Sequence, residues 1–130
     1  MYSFGMIGTG IIAGCHLEAI AAHPRTRLAA VADVVRPRAE AAAAPFGAAV
    51  YTDYHQMLKN EHLDAVIINL PHGLHEPCAI DCAEHGAHIL LEKPMSVSPE
   101  SCERIIQACE RHHVLLQVGP VPRYRPENRA

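Results

Sequence analysis

The sequence has no apolar run approaching the roughly 20 residues that a membrane-crossing helix requires. It has no dense cluster of lysine and arginine, and only 8 glycines and 10 prolines among 130 residues. Each shortage excludes something. Without a basic run, and with 11 Lys and Arg against 14 Asp and Glu for a net charge of -3, neither nucleic acid nor an anionic membrane has electrostatic support as a partner. Modest glycine and proline, with 49% apolar and 19% charged residues, exclude a disordered or collagen-like chain. Residues 1–12 are apolar, but they lack a basic leader and are broken by Gly5, Gly8 and Gly10, so no signal peptide is expected. The five cysteines, Cys15, Cys78, Cys82, Cys102 and Cys109, are odd in number and fall on predicted helices. That suits a reducing, cytoplasmic compartment. The length has room for one domain and not for a two-domain enzyme.

What is present is an alternation of two periodicities. Short apolar runs rich in Val, Ile and Leu occupy residues 3–7, 28–33, 65–70, 87–92 and 114–118, with a weaker one at 50–51. They are nearly continuous, as strands buried on both faces should be. Segments of helical length lie between them, at 12–23, 37–44, 53–60, 76–85 and 98–112. Pro37 suits a first helical turn, Asp53 to Gln56 reads as a D-x-x-Q cap, Gly86 suits the position after a helix, and Ser98-Pro99 makes a cap and first-turn pair. Six strands alternating with five helices predict an α/β fold: a doubly wound, parallel six-stranded sheet in the order 3-2-1-4-5-6 over residues 1–118. Residues 119–130 carry three prolines and read as an exit strap.

Gly8-Thr9-Gly10-Ile11-Ile12-Ala13 is G-x-G-x-x-A, placed between the first strand and the first helix. Gly8 permits the tight turn, Gly10 lets the backbone approach a pyrophosphate, and Ala13 lets the helix pack on the sheet. Free amides at the helix start would face the anion, which makes Thr9, Ile11 and Ile12 part of the expected cradle. Asp33, at the end of the second strand, is where a carboxylate would hold the adenosine ribose and repel a 2′-phosphate, favouring NAD over NADP. Arg36 and Arg38 keep NADP open, since either can turn toward a phosphate. A glycine turn that binds nothing, or one serving S-adenosylmethionine in a methyltransferase, are the competing readings.

Pro71-His72-Gly73-Leu74-His75 after the fourth strand, Glu92-Lys93-Pro94 after the fifth and Arg123-Tyr124-Arg125-Pro126 after the sixth add a further pattern. Together with the glycine fingerprint, the sequence resembles the glucose–fructose oxidoreductase, inositol dehydrogenase and rhizopine-catabolism (Gfo/Idh/MocA) family, whose members share P-N-x-x-H, E-K-P and R-[FY]-x-P at those places. The resemblance covers residues 3–126 and implies a Rossmann domain that binds NAD, with NADP open. It implies that Lys93 is the catalytic group that deprotonates a sugar or polyol hydroxyl, that Glu92 holds the nicotinamide ribose, and that the Lys93–Pro94 bond can be cis. His75 is implied at the cofactor loop, either as a contact or as a histidine fixing the loop by a hydrogen bond. Leu70 and His72 stand where the family has Thr and Asn, so contacts there are expected from the backbone of Leu70 and Pro71. Pro120-Val121-Pro122 replaces residues that are often polar.

The spacing of His72, His75, Cys78 and Cys82 has metal-ligand types, but a helix that must bury one face accounts for them as core, and no metal is expected. Cys102 and Cys109 read as core likewise, and His112-His113 suit a helix C-terminus. Family members carry a second domain with the substrate contacts and an Asp and His that complete the proton relay. The expectation is therefore a cofactor domain inactive by itself. A free-standing dinucleotide sensor or partner subunit, and a site completed through homo-oligomerisation, are the alternatives.

Overall fold

The computed structural model describes residues 1–119. The expected exit strap lies outside the described residues except for Gly119, as do Pro120-Val121-Pro122 and Arg123 to Pro126.

The chain alternates strand and helix throughout: β1 (Tyr2–Ile7), α1 (Ala13–Ala22), β2 (Thr26–Ala32), α2 (Arg36–Ala43), β3 (Ala49–Tyr51), α3 (Tyr54–Asn60), β4 (Ala65–Ile68), α4 (His75–Glu84), β5 (His88–Glu92), α5 (Pro99–Arg111) and β6 (Leu116–Gly119). Two 3-10 turns, Ala44–Phe46 and His72–Leu74, lead out of α2 and into α4. The strands form one sheet in the order β3-β2-β1-β4-β5-β6, with every neighbouring pair parallel. Both the strand order and the doubly wound class are those the alternation predicts.

Successive side chains on a strand point to opposite faces, and both faces here are covered. Ile7, Ala32 and Ile68 join one core with Met57, Cys78, Cys82, Ile105 and Cys109. Their strand neighbours Met6, Val31 and Ile67 join the other, with Ala13, Ile20, Ala39 and Ala43. This double burial explains why the strands read as continuous apolar runs rather than alternating ones. Cys78 and Cys82 on α4 and Cys109 on α5 are core, as expected. Cys102, also expected in the core, is only partly buried, because its position on α5 turns it toward the helix flank. Among the described residues none of the five is bridged, and a hydrogen bond with Cys82 together with burial holds the Cys78 thiol well above the usual range.

The helix boundaries follow the local signals. Ser98 caps α5 by accepting from the Ser101 amide at 3.1 Å, and Gly86 follows α4 with φ 77°. The α3 cap differs in detail: the Asp53 carboxylate accepts from the His55 amide at 2.9 Å and lies 2.8 Å from the His55 ring. His55 therefore closes this cap, in place of the reciprocal Gln56 contact that D-x-x-Q suggests. β4 ends at Ile68 rather than Leu70, because Pro71 lacks an amide donor and the chain turns at once into the 3-10 segment. No helix among the described residues is long and apolar enough to cross a membrane.

Candidate dinucleotide site

The C-terminal ends of β1, β2, β4 and β5 surround a crevice of about 690 Å³. Parallel sheets of this order bind ligands at that edge, where strands on either side of the middle leave in opposite directions. Gly8, Thr9, Gly10 and Ile12 contribute from the glycine turn, Asp33 and Arg38 from the β2 side, Leu70 and Pro71 from the β4 loop, and Glu92 and Lys93 from β5. Ten of the twelve residues singled out from sequence thus line one cavity. The other two do not. Ile11 points fully into solvent, and His75 is completely buried beneath the loops.

The turn itself is tightly specified. Gly8 has φ +87°, and a Cβ on it would come within 2.8 Å of the Asn69 carbonyl oxygen, whereas a Cβ on Gly10 would meet nothing within 4 Å. Gly8 is therefore needed by the fold. Gly10 faces open space, which is the requirement for close backbone approach to a ligand. Helix α1 begins at Ala13 with no side-chain cap and no acidic residue in its first turn, so its positive end is left for an external anion.

Asp33 has a double engagement. Its Oδ2 accepts from the Thr9 amide at 2.9 Å and from the Thr9 hydroxyl at 2.5 Å, and its Oδ1 accepts from the Val35 amide at 2.8 Å. Burial pushes its pKa upward, but the Thr9 hydroxyl, the Val35 and Thr9 amides and the Arg38 charge together outweigh burial and hold it below the usual carboxylate value. The group is an anion at neutral pH, oriented on the crevice wall. Of the two arginines near it, Arg36 bonds Glu40 at 3.0 Å on the exposed face of α2, while Arg38 lines the crevice.

At the β5 end the Glu92 carboxylate has a partner within the domain: its Oε1 lies 2.6 Å from His16 Nε2 on α1. Both side chains are largely buried. His16 was not found by sequence reasoning; the signal available was a histidine one helical turn after Ala13, on the face that passes β5. Lys93 is exposed, and the Lys93–Pro94 bond is cis. The His75 ring nitrogens lie 3.1 Å from the Met95 carbonyl oxygen and 2.7 Å from that of Leu70. His75 thereby ties the β4 loop to the loop that carries Lys93, which is the loop-fixing alternative.

The residues present fit a dinucleotide. An uncovered glycine and an uncapped helix start have the chemistry to receive a diphosphate, an oriented carboxylate that to receive a ribose, and exposed apolar Val34 and Leu74 on the crevice wall that to receive a base.

A nucleotide-binding α/β domain of the doubly wound class is what this architecture and crevice define. Comparison with known proteins makes the assignment specific. Residues 2–120 match the model of the oxidoreductase family with an NAD-binding Rossmann fold, Gfo/Idh/MocA. The chain belongs to that family. It is 34% identical over 126 residues to inositol 2-dehydrogenase of Rubrobacter xylanophilus, covering 95% of this chain and 36% of that enzyme. The WlbA dehydrogenase of Bordetella pertussis, crystallised with NADH and UDP-GlcNAcA, superposes with a TM-score of 0.93 at 34% identity, over 98% of this chain and 39% of that one. Apo scyllo-inositol dehydrogenase of Lactobacillus casei gives 0.88 at 27%, over 96% and 38%. The chain thus corresponds to the N-terminal, NAD-binding part of such dehydrogenases and spans under two-fifths of the length of each of these three.

Proposed function

We propose that this chain is the cofactor-binding part of a longer, cytoplasmic dehydrogenase that oxidises a secondary hydroxyl of a cyclic polyol or a sugar. The supporting observation is the convergence of the Gly8–Gly10 turn, Asp33 and Lys93 on one crevice, at the strand ends where such sheets act. The inositol and UDP-sugar dehydrogenases similar to this chain suggest the substrate class, and five unbridged cysteines suit a reducing compartment.

In this reading the start of α1 and the backbone at Gly10 and Ile12 hold the diphosphate. Asp33 accepts from the adenosine ribose hydroxyls, and its negative charge disfavours a 2′-phosphate, so NAD is preferred to NADP. Arg38, beside it, sets how strong that preference is. The bound nicotinamide supplies the hydride acceptor. Lys93 Nζ takes the proton of the substrate hydroxyl, which requires a neutral amine and therefore loss of solvent around it. Lys93 is exposed here, so that desolvation falls to substrate and to the remainder of the longer protein. Glu92, fixed by His16, borders the same end of the crevice and keeps the residue before Lys93 in place.

The test is NADH formation by the longer protein from NAD and a panel of inositols and sugars. Lys93→Met is expected to reduce kcat by about a hundredfold or more, the scale of general base catalysis, with little change in NAD affinity. An unchanged rate removes Lys93 from the chemistry.

A further inference from the structure

The β4 strand is apolar through Ile68, and a leucine or valine at the next position would continue the pattern. The chain has Asn69 instead. Its backbone amide donates to the Ile7 carbonyl at 2.8 Å, extending the β1–β4 ladder, and its Nδ2 donates to the Gly8 carbonyl at 3.2 Å. Its Oδ1 is buried with no hydrogen-bond partner among the described residues. Turning the amide over would not help, because an oxygen would then face the Gly8 oxygen. A buried acceptor without a donor is destabilising, and native structures retain few of them.

The compensation lies in what Nδ2 holds. The Gly8 carbonyl and the Thr9 amide belong to one peptide group, which is planar. Asn69, the residue after β4, grips its oxygen, and Asp33 from the β2 side grips its N–H at 2.9 Å. The Gly8 amide is held separately by the Ala32 carbonyl at 2.9 Å. A glycine with φ +87° has unusual freedom to rotate the peptide that follows it. With both ends of that peptide gripped, rotation is blocked, and the Gly8 oxygen is kept on Asn69 instead of facing an anion in the crevice.

We propose that Asn69 is a positioning residue for the diphosphate loop: it pins the Gly8–Thr9 peptide opposite Asp33, and the unsatisfied Oδ1 is the stability cost of doing so. The inference rests on the dinucleotide reading above. It identifies a determinant of cofactor affinity at the end of β4 that is separate from the glycine fingerprint and from the E-K-P lysine.

The experiment titrates NADH and ADP-ribose, which share the diphosphate, into the wild-type chain and into Asn69→Leu, Asn69→Ala and Asn69→Ser, with thermal melts alongside. Loss of one neutral hydrogen bond corresponds to about a five- to tenfold change in affinity. The leucine and alanine variants are expected to weaken both ligands by that factor, equally, with a Tm equal to or above wild type. The serine variant, which keeps a donor, should recover part of the loss. Unchanged affinities overturn the proposal. So does a loss for NADH alone, which would place Asn69 at the nicotinamide end. A fall in affinity matched by a fall in Tm in all three variants reduces Asn69 to a structural role. If the wild-type chain binds neither ligand, the dinucleotide reading fails and this inference falls with it.

Discussion

Asp33 Oδ2 accepts two hydrogen bonds from one residue, the amide and the hydroxyl of Thr9, at 2.9 and 2.5 Å. The carboxylate expected to hold a ribose therefore also fastens the glycine turn to the end of β2. A carboxylate has about four lone-pair sites, and Val35 takes a third, so one direction is left for a ligand. Asp33→Ala removes both functions together. Affinity for NADH is expected to fall about ten- to a hundredfold, the worth of hydrogen bonds to a charged group, and the gap between NADH and NADPH should narrow. Equal affinities before and after would take Asp33 out of the site.

The same contacts give the fold an acid limb. Asp33 has a folded-state pKa below its ordinary 3.8, so its clamp contributes its full stability above pH 3.8 and loses it as the pH falls through the lower folded value. Thermal melts of wild type and Asp33→Asn should differ most at neutral pH and converge below pH 3.8. A difference that widened toward acid would contradict the assignment.

Gly8 and Gly10 separate folding from binding. Alanine at Gly8 must tolerate φ +87° and a 2.8 Å approach to the Asn69 carbonyl oxygen, which predicts a loss of about 1–3 kcal/mol of stability. Alanine at Gly10 meets nothing within 4 Å, so its melting temperature should stay near wild type. Its methyl group would instead stand where the diphosphate approaches, and NADH affinity should drop at least tenfold, about 1.4 kcal/mol. Denaturant melts paired with NADH titrations check both. A Gly10→Ala variant that binds normally would place the ligand elsewhere.

Sequence reasoning reached the fold because the strands are buried on both faces and stand out as runs of Val, Ile and Leu, while Gly86, Ser98 and the glycine fingerprint mark where elements begin and end. It reached most of the crevice because parallel strands deliver their C-terminal residues to one edge, so Asp33, Pro71 and Lys93 converge although up to 60 positions separate them. What it missed depends on side-chain direction. His16 reaches Glu92 across 76 positions, a contact fixed by how α1 crosses the sheet. Asn69 looked like part of an apolar strand. Its amide in the run Ile67-Ile68-Asn69-Leu70 was the visible anomaly, but its partner at Gly8 follows only from the register that sets Ile68 opposite Ile7. His75 was half legible: its place at the start of α4 was readable, but not the two carbonyls that bury it.

The most direct test of the central claim is a calorimetric titration of NADH into the chain, with circular dichroism establishing that the sample is folded. The account predicts one saturable site, competed by ADP-ribose and weakened in Gly10→Ala. A folded chain that gave no saturable heat would show that the glycine turn and the start of α1 do not hold a diphosphate.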